Sequence, residues 1–133
     1  ISGIELRVEK LEDQAFILAQ KRKLLLLFEN LIYNAISFTP EDGVITISPC
    51  LDQDGVTIRV SDTGMGIEPE HLPHIFERFY SGRPDASESS GLGLYIARIT
   101  VEELGGSIHA ESVKGQGSVF TVRIPLAGTV PSL

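Results

Sequence analysis

The sequence predicts an α+β fold, a two-layer sandwich in which a mixed, mostly antiparallel sheet is covered on one face by about three helices. Three observations predict it. Stretches of alternating hydrophobicity come in pairs joined by short turn-forming segments, as hairpins require. Helical periodicity is confined to segments lying between these pairs. A chain of 133 residues with 42% hydrophobic content can bury one core, and no internal repeat or linker divides it. The frequency of hairpins argues against a doubly wound parallel sheet.

Gly3 to Lys10 alternates Ile4, Leu6 and Val8 with Glu5, Arg7 and Glu9, as a half-buried strand does, and Ala15 to Leu18 is compatible with a short second strand. From Lys21 to Phe38, Leu24, Leu27, Phe28, Leu31, Ile32, Ala35 and Phe38 share one arc at ~100° per residue. This helix should end at Thr39-Pro40, because the residue before a proline is pushed out of the helical region. Val44 to Leu51 and Val56 to Asp62 form a hairpin around Asp52-Gln53-Asp54-Gly55. A short helix is expected over Pro69 to Tyr80, then a polar loop without period from Ser81 to Ser90. The last helix, Leu92 to Leu104, ends at Gly105-Gly106, where glycine can adopt a left-handed cap. Ile108 to Ser112 and Val119 to Ile124 complete a second hairpin. The expected total is about six strands and three helices, with one domain over residues 1–126 and a frayed tail over 127–133.

Eleven Lys and Arg against 18 Asp and Glu give a net charge of −7. Such a chain lacks the basic face that nucleic acids or anionic lipids require. The longest apolar run, Leu24 to Phe28, is far short of the ~20 residues that span a bilayer, so no membrane insertion is expected. The single cysteine, Cys50, cannot form an internal disulfide and suits a reducing compartment. The opening at Ile1 without Met is what a domain cut from a longer protein would show.

Three features carry chemistry. In the strand ending at Asp62, Val56, Ile58 and Val60 face the core, and Asp62 continues that series, so a carboxylate arrives on the buried side. It either caps the Thr63-Gly64 turn or awaits a ligand's donor. Gly64 and Gly66 just beyond allow close backbone approach. Asn30 and Asn34, four apart, stack on one side of the long helix. They either satisfy buried backbone groups or offer neutral oxygens suited to Mg²⁺. Ser89-Ser90-Gly91-Leu92-Gly93-Leu94 opens the last helix, where free amides attract anions, although a plain loop feeding a helix reads the same. No P-loop and no complete dinucleotide fingerprint is present.

Taken together and in this order, these features closely resemble the catalytic, ATP-binding domain of bacterial sensor histidine kinases, of the superfamily that includes gyrase-, Hsp90- and MutL-type ATPases. The resemblance is nearly full-length. It covers the asparagine box (Asn30-Leu31-Ile32-Tyr33-Asn34-Ala35), the first glycine box (Asp62-Thr63-Gly64-Met65-Gly66-Ile67) and the phenylalanine box (Ile75-Phe76-Glu77-Arg78-Phe79-Tyr80). It extends over the second glycine box (Gly91-Leu92-Gly93-Leu94) and the Lys114-Gly115-Gln116-Gly117-Ser118 turn.

The resemblance implies a Bergerat-type fold, ATP and Mg²⁺ as cofactors, and transfer of the γ-phosphoryl group to a histidine. Asp62 would accept a hydrogen bond from the adenine amino group, with Gly64, Gly66 and Ile67 forming the adenine-side wall. Asn34 would coordinate Mg²⁺ and Asn30 support it, the two forming the catalytic pair. Ser81 to Ser90 would be an ATP lid, while Gly91 and Gly93 present amides to the phosphates. Phe38, Arg78, Arg83, Leu92 and Leu94 complete the implied nucleotide-binding set. Phe76 and Phe79 would anchor the lid or simply pack in the core. The implied partners are a separate dimerisation and phosphoacceptor domain and, indirectly, a response regulator. The implied location is cytoplasmic, and the fragment, lacking a dimerisation helix pair, is expected to be monomeric and unable to autophosphorylate alone.

The chain departs from that pattern in places. Ser37 stands where a basic residue is common, Phe38 where tyrosine is frequent, and Ser89 where a further glycine is usual. Phosphate charge would then fall on Mg²⁺, the helix amides, Arg83 and Arg78. An amide at Asn30, where hydrolysing relatives carry a glutamate base, favours a kinase over an ATPase. The three histidines, His71, His74 and His109, lack the helical context of a phosphoacceptor. Two other readings fit the boxes: a degenerate ATP-sensing or docking module without phosphotransfer, and a serine-protein kinase of the anti-sigma type.

Overall fold

Helix α1 (Lys21–Phe38) buries Leu27, Leu31 and Ala35, spaced four apart, almost completely. Its end is held by the next residue: Thr39 Oγ1 donates to the Ala35 carbonyl at 2.6 Å, and the Thr39 amide reaches the Ile36 carbonyl at 3.3 Å. Pro40 then prevents continuation. In this computed structural model the described residues are 5–8, 21–78 and 93–125.

The five strands are β1 (Glu5–Val8), β2 (Val44–Leu51), β3 (Gly55–Asp62), β4 (Ser107–Val113) and β5 (Gly117–Pro125), in the spatial order β1-β2-β3-β5-β4. β1 runs parallel to β2, and every other pairing is antiparallel. A parallel pair needs a crossover connection, and α1 lies within that one. Helix α2 (Gly93–Glu103) packs beside α1, and both cover the same side of the sheet. The Lys23–Glu103 ion pair at 3.4 Å ties them at the surface.

Between the layers lies one core, in which Ile45, Val56, Val60, Phe120, Val122 and Ile124 meet the apolar sides of the helices. Truncating a side chain as fully enclosed as Leu31 would cost about 2–5 kcal/mol. The opposite face carries Thr46, Ser48, Thr57, Arg59, Ser61 and Thr121, a polar surface consistent with a sheet covered on one side only.

The α+β sandwich and its mixed, mostly antiparallel sheet are as the sequence predicts. The helix expected over Pro69 to Tyr80 is not formed in its described part. Its only helical piece is a 3₁₀ turn, Leu72–His74, flanked by turns in which His74 bonds back to His71 and Glu77 to His74. Pro73 supplies no amide there, so a continuous α-helical ladder cannot pass through it. Two α-helices and five strands are therefore present among the described residues. The possible strand at Ala15 to Leu18, the loop from Ser81 to Ser90, and the tail lie outside them. Gly105, at φ +81°, ends α2 as expected, with the Gly106 amide reaching the Val101 carbonyl at 2.9 Å.

Candidate functional site: an orphan carboxylate between two glycine walls

Asp62 closes β3 on the helix-covered side and is only 6% exposed. Oδ1 accepts the Gly64 amide at 2.9 Å, so the turn-capping role is real. Oδ2, by contrast, is buried and has no hydrogen-bond partner. Burial pushes the carboxyl above the ordinary carboxylate range, opposed by the amides of Gly64 and Ser118. A buried acceptor left open in this way is costly unless something supplies a donor. The arrangement suits a neutral ligand group bearing N–H.

The backbone around it is pinned from both sides. The Met65 amide donates to the Phe38 carbonyl at 3.0 Å, and the Gly115 amide to the Met65 carbonyl at 2.7 Å. The loop after β3 is thus stapled to the end of α1 and to the β4–β5 turn. A Cβ at Gly64 would sit 2.1 Å from the Phe38 carbonyl oxygen, which no side chain can do. Gly66 adopts φ +73°, and a Cβ there would meet the Val113 carbonyl at 2.3 Å. Phe38 therefore takes part through its carbonyl. Ile67 is buried and gives its amide to Ser112 Oγ at 2.8 Å. Lys114 pairs with Glu68 at 2.7 Å across the same junction, which holds the Glu68 carboxyl below its ordinary range.

On the helix side, Asn30 Nδ2 donates to the Leu26 carbonyl at 2.8 Å, leaving Oδ1 as the outward group. That oxygen faces the start of α2: a Cβ built at Gly93 would lie 3.3 Å from it. Asn34 is half-buried one turn further along α1. The asparagine box and the last helix, separated by about sixty residues in sequence, thus meet at one place. The first amides of a helix have no partner within it, and α2 begins among the described residues at Gly93, beside Asn30 Oδ1. No cluster of three or more His, Cys, Asp or Glu side chains that could enclose a metal is present among the described residues. A cation at Asn34 would be held by one neutral amide plus ligand oxygens and water, a donor set that suits Mg²⁺.

Of the residues singled out in the sequence, Phe38, Asp62 and Gly64 meet in the loop after β3, which continues through Gly66 and Ile67, while Asn30 and Gly93 meet between the two helices and Asn34 lies one turn along α1 from Asn30. Leu94 is half-buried and packs against the core, and Arg78 is exposed at the edge of the described chain. Phe76 packs edge-on against Phe120, with ring centroids 6.0 Å apart, so core packing accounts for it. Arg83, Gly91, Leu92 and Phe79 fall outside the described residues. His109 is exposed on β4, and His74 is paired with Glu77 at 2.8 Å.

Sequence reasoning passed over Ser112 and Ser118. Ser118 is 5% exposed and stands directly opposite Asp62 in the β3–β5 pairing, while Ser112 stands opposite Ser118 in the β4–β5 pairing. The signal was available: both are polar residues at inward positions of alternating strands, the same anomaly that marks Asp62.

With this geometry in place, comparison with known proteins identifies the class. Residues 19–128 match the family model for histidine kinase-, DNA gyrase B- and HSP90-like ATPases, and the chain belongs to that family. Within it, the likeness is to the catalytic ATP-binding domain of sensor histidine kinases. The sensor histidine kinase RppB of Synechocystis is 36% identical over 92% of this chain. The chain spans only 28% of RppB's length. Among solved structures, the catalytic domain of histidine kinase ThkA superposes with a TM-score of 0.80 at 30% identity, covering 92% of this chain and 80% of that one. Full-length ShkA in complex with AMPPNP gives a TM-score of 0.80 at 30% identity, covering 93% of this chain and 26% of ShkA. No helix among the described residues is long and apolar enough to cross a membrane.

Proposed function

We propose that this domain binds Mg²⁺-ATP between α1 and α2 and donates the γ-phosphoryl group to a histidine on a separate dimerisation and phosphoacceptor domain of its parent protein. The observation that carries the reading is Asp62 Oδ2, a buried acceptor without a donor at the mouth of a glycine-walled loop. Asp62 accepts the adenine amino group, and the close-packed backbone at Gly64 and Gly66 leaves a flat wall for the base. The ATP analogue bound by ShkA supports a nucleotide in this fold.

Asn34 is the residue that would hold Mg²⁺, with Asn30 Oδ1 beside it. Bound there, Mg²⁺ would neutralise charge on the β- and γ-phosphates as the phosphoryl group leaves. The α2 amides around Gly93 orient the same phosphates, and Arg83 and Arg78 are proposed to add positive charge. Asn30 offers a neutral carboxamide, its nitrogen donating to the Leu26 carbonyl and its oxygen far too weak a base to take a proton from water. This favours transfer to a protein acceptor over hydrolysis. In that step a histidine nitrogen bonds to the γ-phosphorus while the bond to the ADP oxygen breaks.

None of the chain's three histidines lies on an α-helix, which supports an acceptor on another domain. We place the domain on the cytoplasmic side of its parent, with a response regulator downstream. The test is incubation with the parent's purified phosphoacceptor domain, Mg²⁺ and γ-labelled ATP. Acid-labile, base-stable label on that domain's histidine is expected. Nucleotide binding without label on it would select the ATP-sensing module, and acid-stable phosphoserine on a partner would select the anti-sigma type of kinase.

A further inference from the structure

Asp62, Ser118 and Ser112 stand at directly paired positions on β3, β5 and β4, so their side chains share the helix-covered face. Ser112 Oγ has three partners at hydrogen-bond distance: the Ile67 amide at 2.8 Å, the Gly117 carbonyl at 2.9 Å and the Ser118 hydroxyl at 3.0 Å. A hydroxyl has one proton and two lone pairs. The Ile67 amide can only donate, so it occupies one lone pair. The Gly117 carbonyl can only accept, so it takes the proton. What remains on Ser112 is a lone pair, and the proton between the two serines must come from Ser118.

A second observation fits this. Asp62 Oδ2, directly opposite Ser118 in the β3–β5 pairing, is buried and has no hydrogen-bond partner, the Ser118 hydroxyl included. The Ser118 oxygen is turned instead towards Ser112, 3.0 Å away.

We propose that Ser112 is a positioning residue that fixes the direction of the Ser118 hydroxyl, so that the pocket floor presents acceptors only, at Asp62 Oδ2 and Ser118 Oγ. Such a floor selects a base carrying an exocyclic amino group over one carrying a keto oxygen at the same place, because the keto oxygen would face two acceptors with no proton between them. The selectivity rests on the nucleotide reading given above, whereas the hydroxyl direction does not.

The experiment is a ¹³C NMR titration of the Asp62 carboxyl in the nucleotide-free chain, alongside binding of ADP and IDP, which differ at this amino or keto position. In Ser112→Ala the Ser118 proton is released and turns to Asp62, stabilising the carboxylate. The Asp62 midpoint should fall by about one pH unit. Ser112→Thr should restore it, and adding Ser118→Ala to Ser112→Ala should abolish the fall. A loss of stability alone would not produce this pattern. The preference for ADP over IDP should drop by about tenfold in Ser112→Ala.

An unchanged or raised midpoint in a folded Ser112→Ala protein overturns the hydroxyl direction. Should that variant not fold, Ser118→Ala alone decides: no rise is expected, and a rise would mean that Ser118 already donates to Asp62. A shifted midpoint with an unchanged ADP-to-IDP ratio overturns the selectivity. If the wild type binds neither nucleotide, the nucleotide reading and the selectivity built on it both fail, while the titration still settles the hydroxyl direction.

Discussion

Gly93, at the first turn of α2, faces the side-chain oxygen of Asn30 on α1, so closely that a methyl group at position 93 would stand 3.3 Å from Asn30 Oδ1. The contact joins the two helices at the place where phosphates are proposed to lie. Gly93→Ala keeps the backbone amide and improves helix propensity, by up to about 1 kcal/mol. Its melting temperature should be unchanged or slightly raised, while affinity for an ATP analogue should fall about tenfold. Calorimetry and a thermal melt on the same sample separate the two effects. Unchanged affinity would move the phosphates away from this contact.

Gly64 should behave in the opposite way. Its missing Cβ is replaced by the Phe38 carbonyl, rigid backbone that cannot give way. Gly64→Ala must push the loop off the end of α1, breaking the Met65–Phe38 hydrogen bond. A loss of roughly 2–4 kcal/mol is expected, measurable as a lower urea midpoint.

Asp62 also sets a pH dependence. Its carboxyl lies above the ordinary range because of burial, so the folded state holds its proton at pH values where the unfolded chain has lost it. Its contribution therefore weakens stability as pH rises from the ordinary carboxylate value through the raised one. Asp62→Asn cannot titrate. The melting temperature of the variant minus that of the wild type should thus become more positive as pH rises from the ordinary carboxylate value of about 4 through the raised one. A difference that is flat over this span would mean the carboxyl is not perturbed.

At the far end of β3 the sign reverses. Arg123 grips Asp52 with two hydrogen bonds, at 2.7 and 2.8 Å, while Asp52 Oδ1 also accepts the Asp54 and Gly55 amides. The Arg123 bond, chiefly, holds the Asp52 carboxyl far below its ordinary range. Its contribution is present above the ordinary carboxylate value and lost as pH falls below it. Asp52→Asn should therefore lower the melting temperature at pH 7 and differ less from the wild type near pH 2, at low salt. Asp52 is exposed and Arg123 only half-buried, so the effect should be modest and shrink with added salt.

The sheet and both long helices were legible because their periods are strong. Strand β2 starts and ends where alternation starts and ends, and α1 stops at Thr39-Pro40. The failure over Pro69 to Tyr80 is also physical: Leu72, Ile75 and Phe76 have helical spacing, but Pro73 interrupts the hydrogen-bond ladder that spacing presupposes. Of the site, Asp62 was readable from a polar residue in an inward series. Ser112 and Ser118 obeyed the same rule and were missed because serine is unremarkable in a turn-flanking strand. That Phe38 acts through its carbonyl, and that Gly93 meets Asn30, could not be read from spacing, since both depend on how α1, the loop and α2 are packed.

The central claim is that Asp62 receives the base of a nucleotide. The most direct measurement is calorimetric titration of the chain with a non-hydrolysable ATP analogue and Mg²⁺, beside Asp62→Asn shown to be folded. A hydrogen bond to a charged acceptor contributes about 1.5–3 kcal/mol, so the variant should lose roughly ten- to a hundredfold in affinity. Saturable wild-type binding with that loss is the predicted result. Equal affinity in the two proteins, or no binding by a folded wild type, would contradict the account.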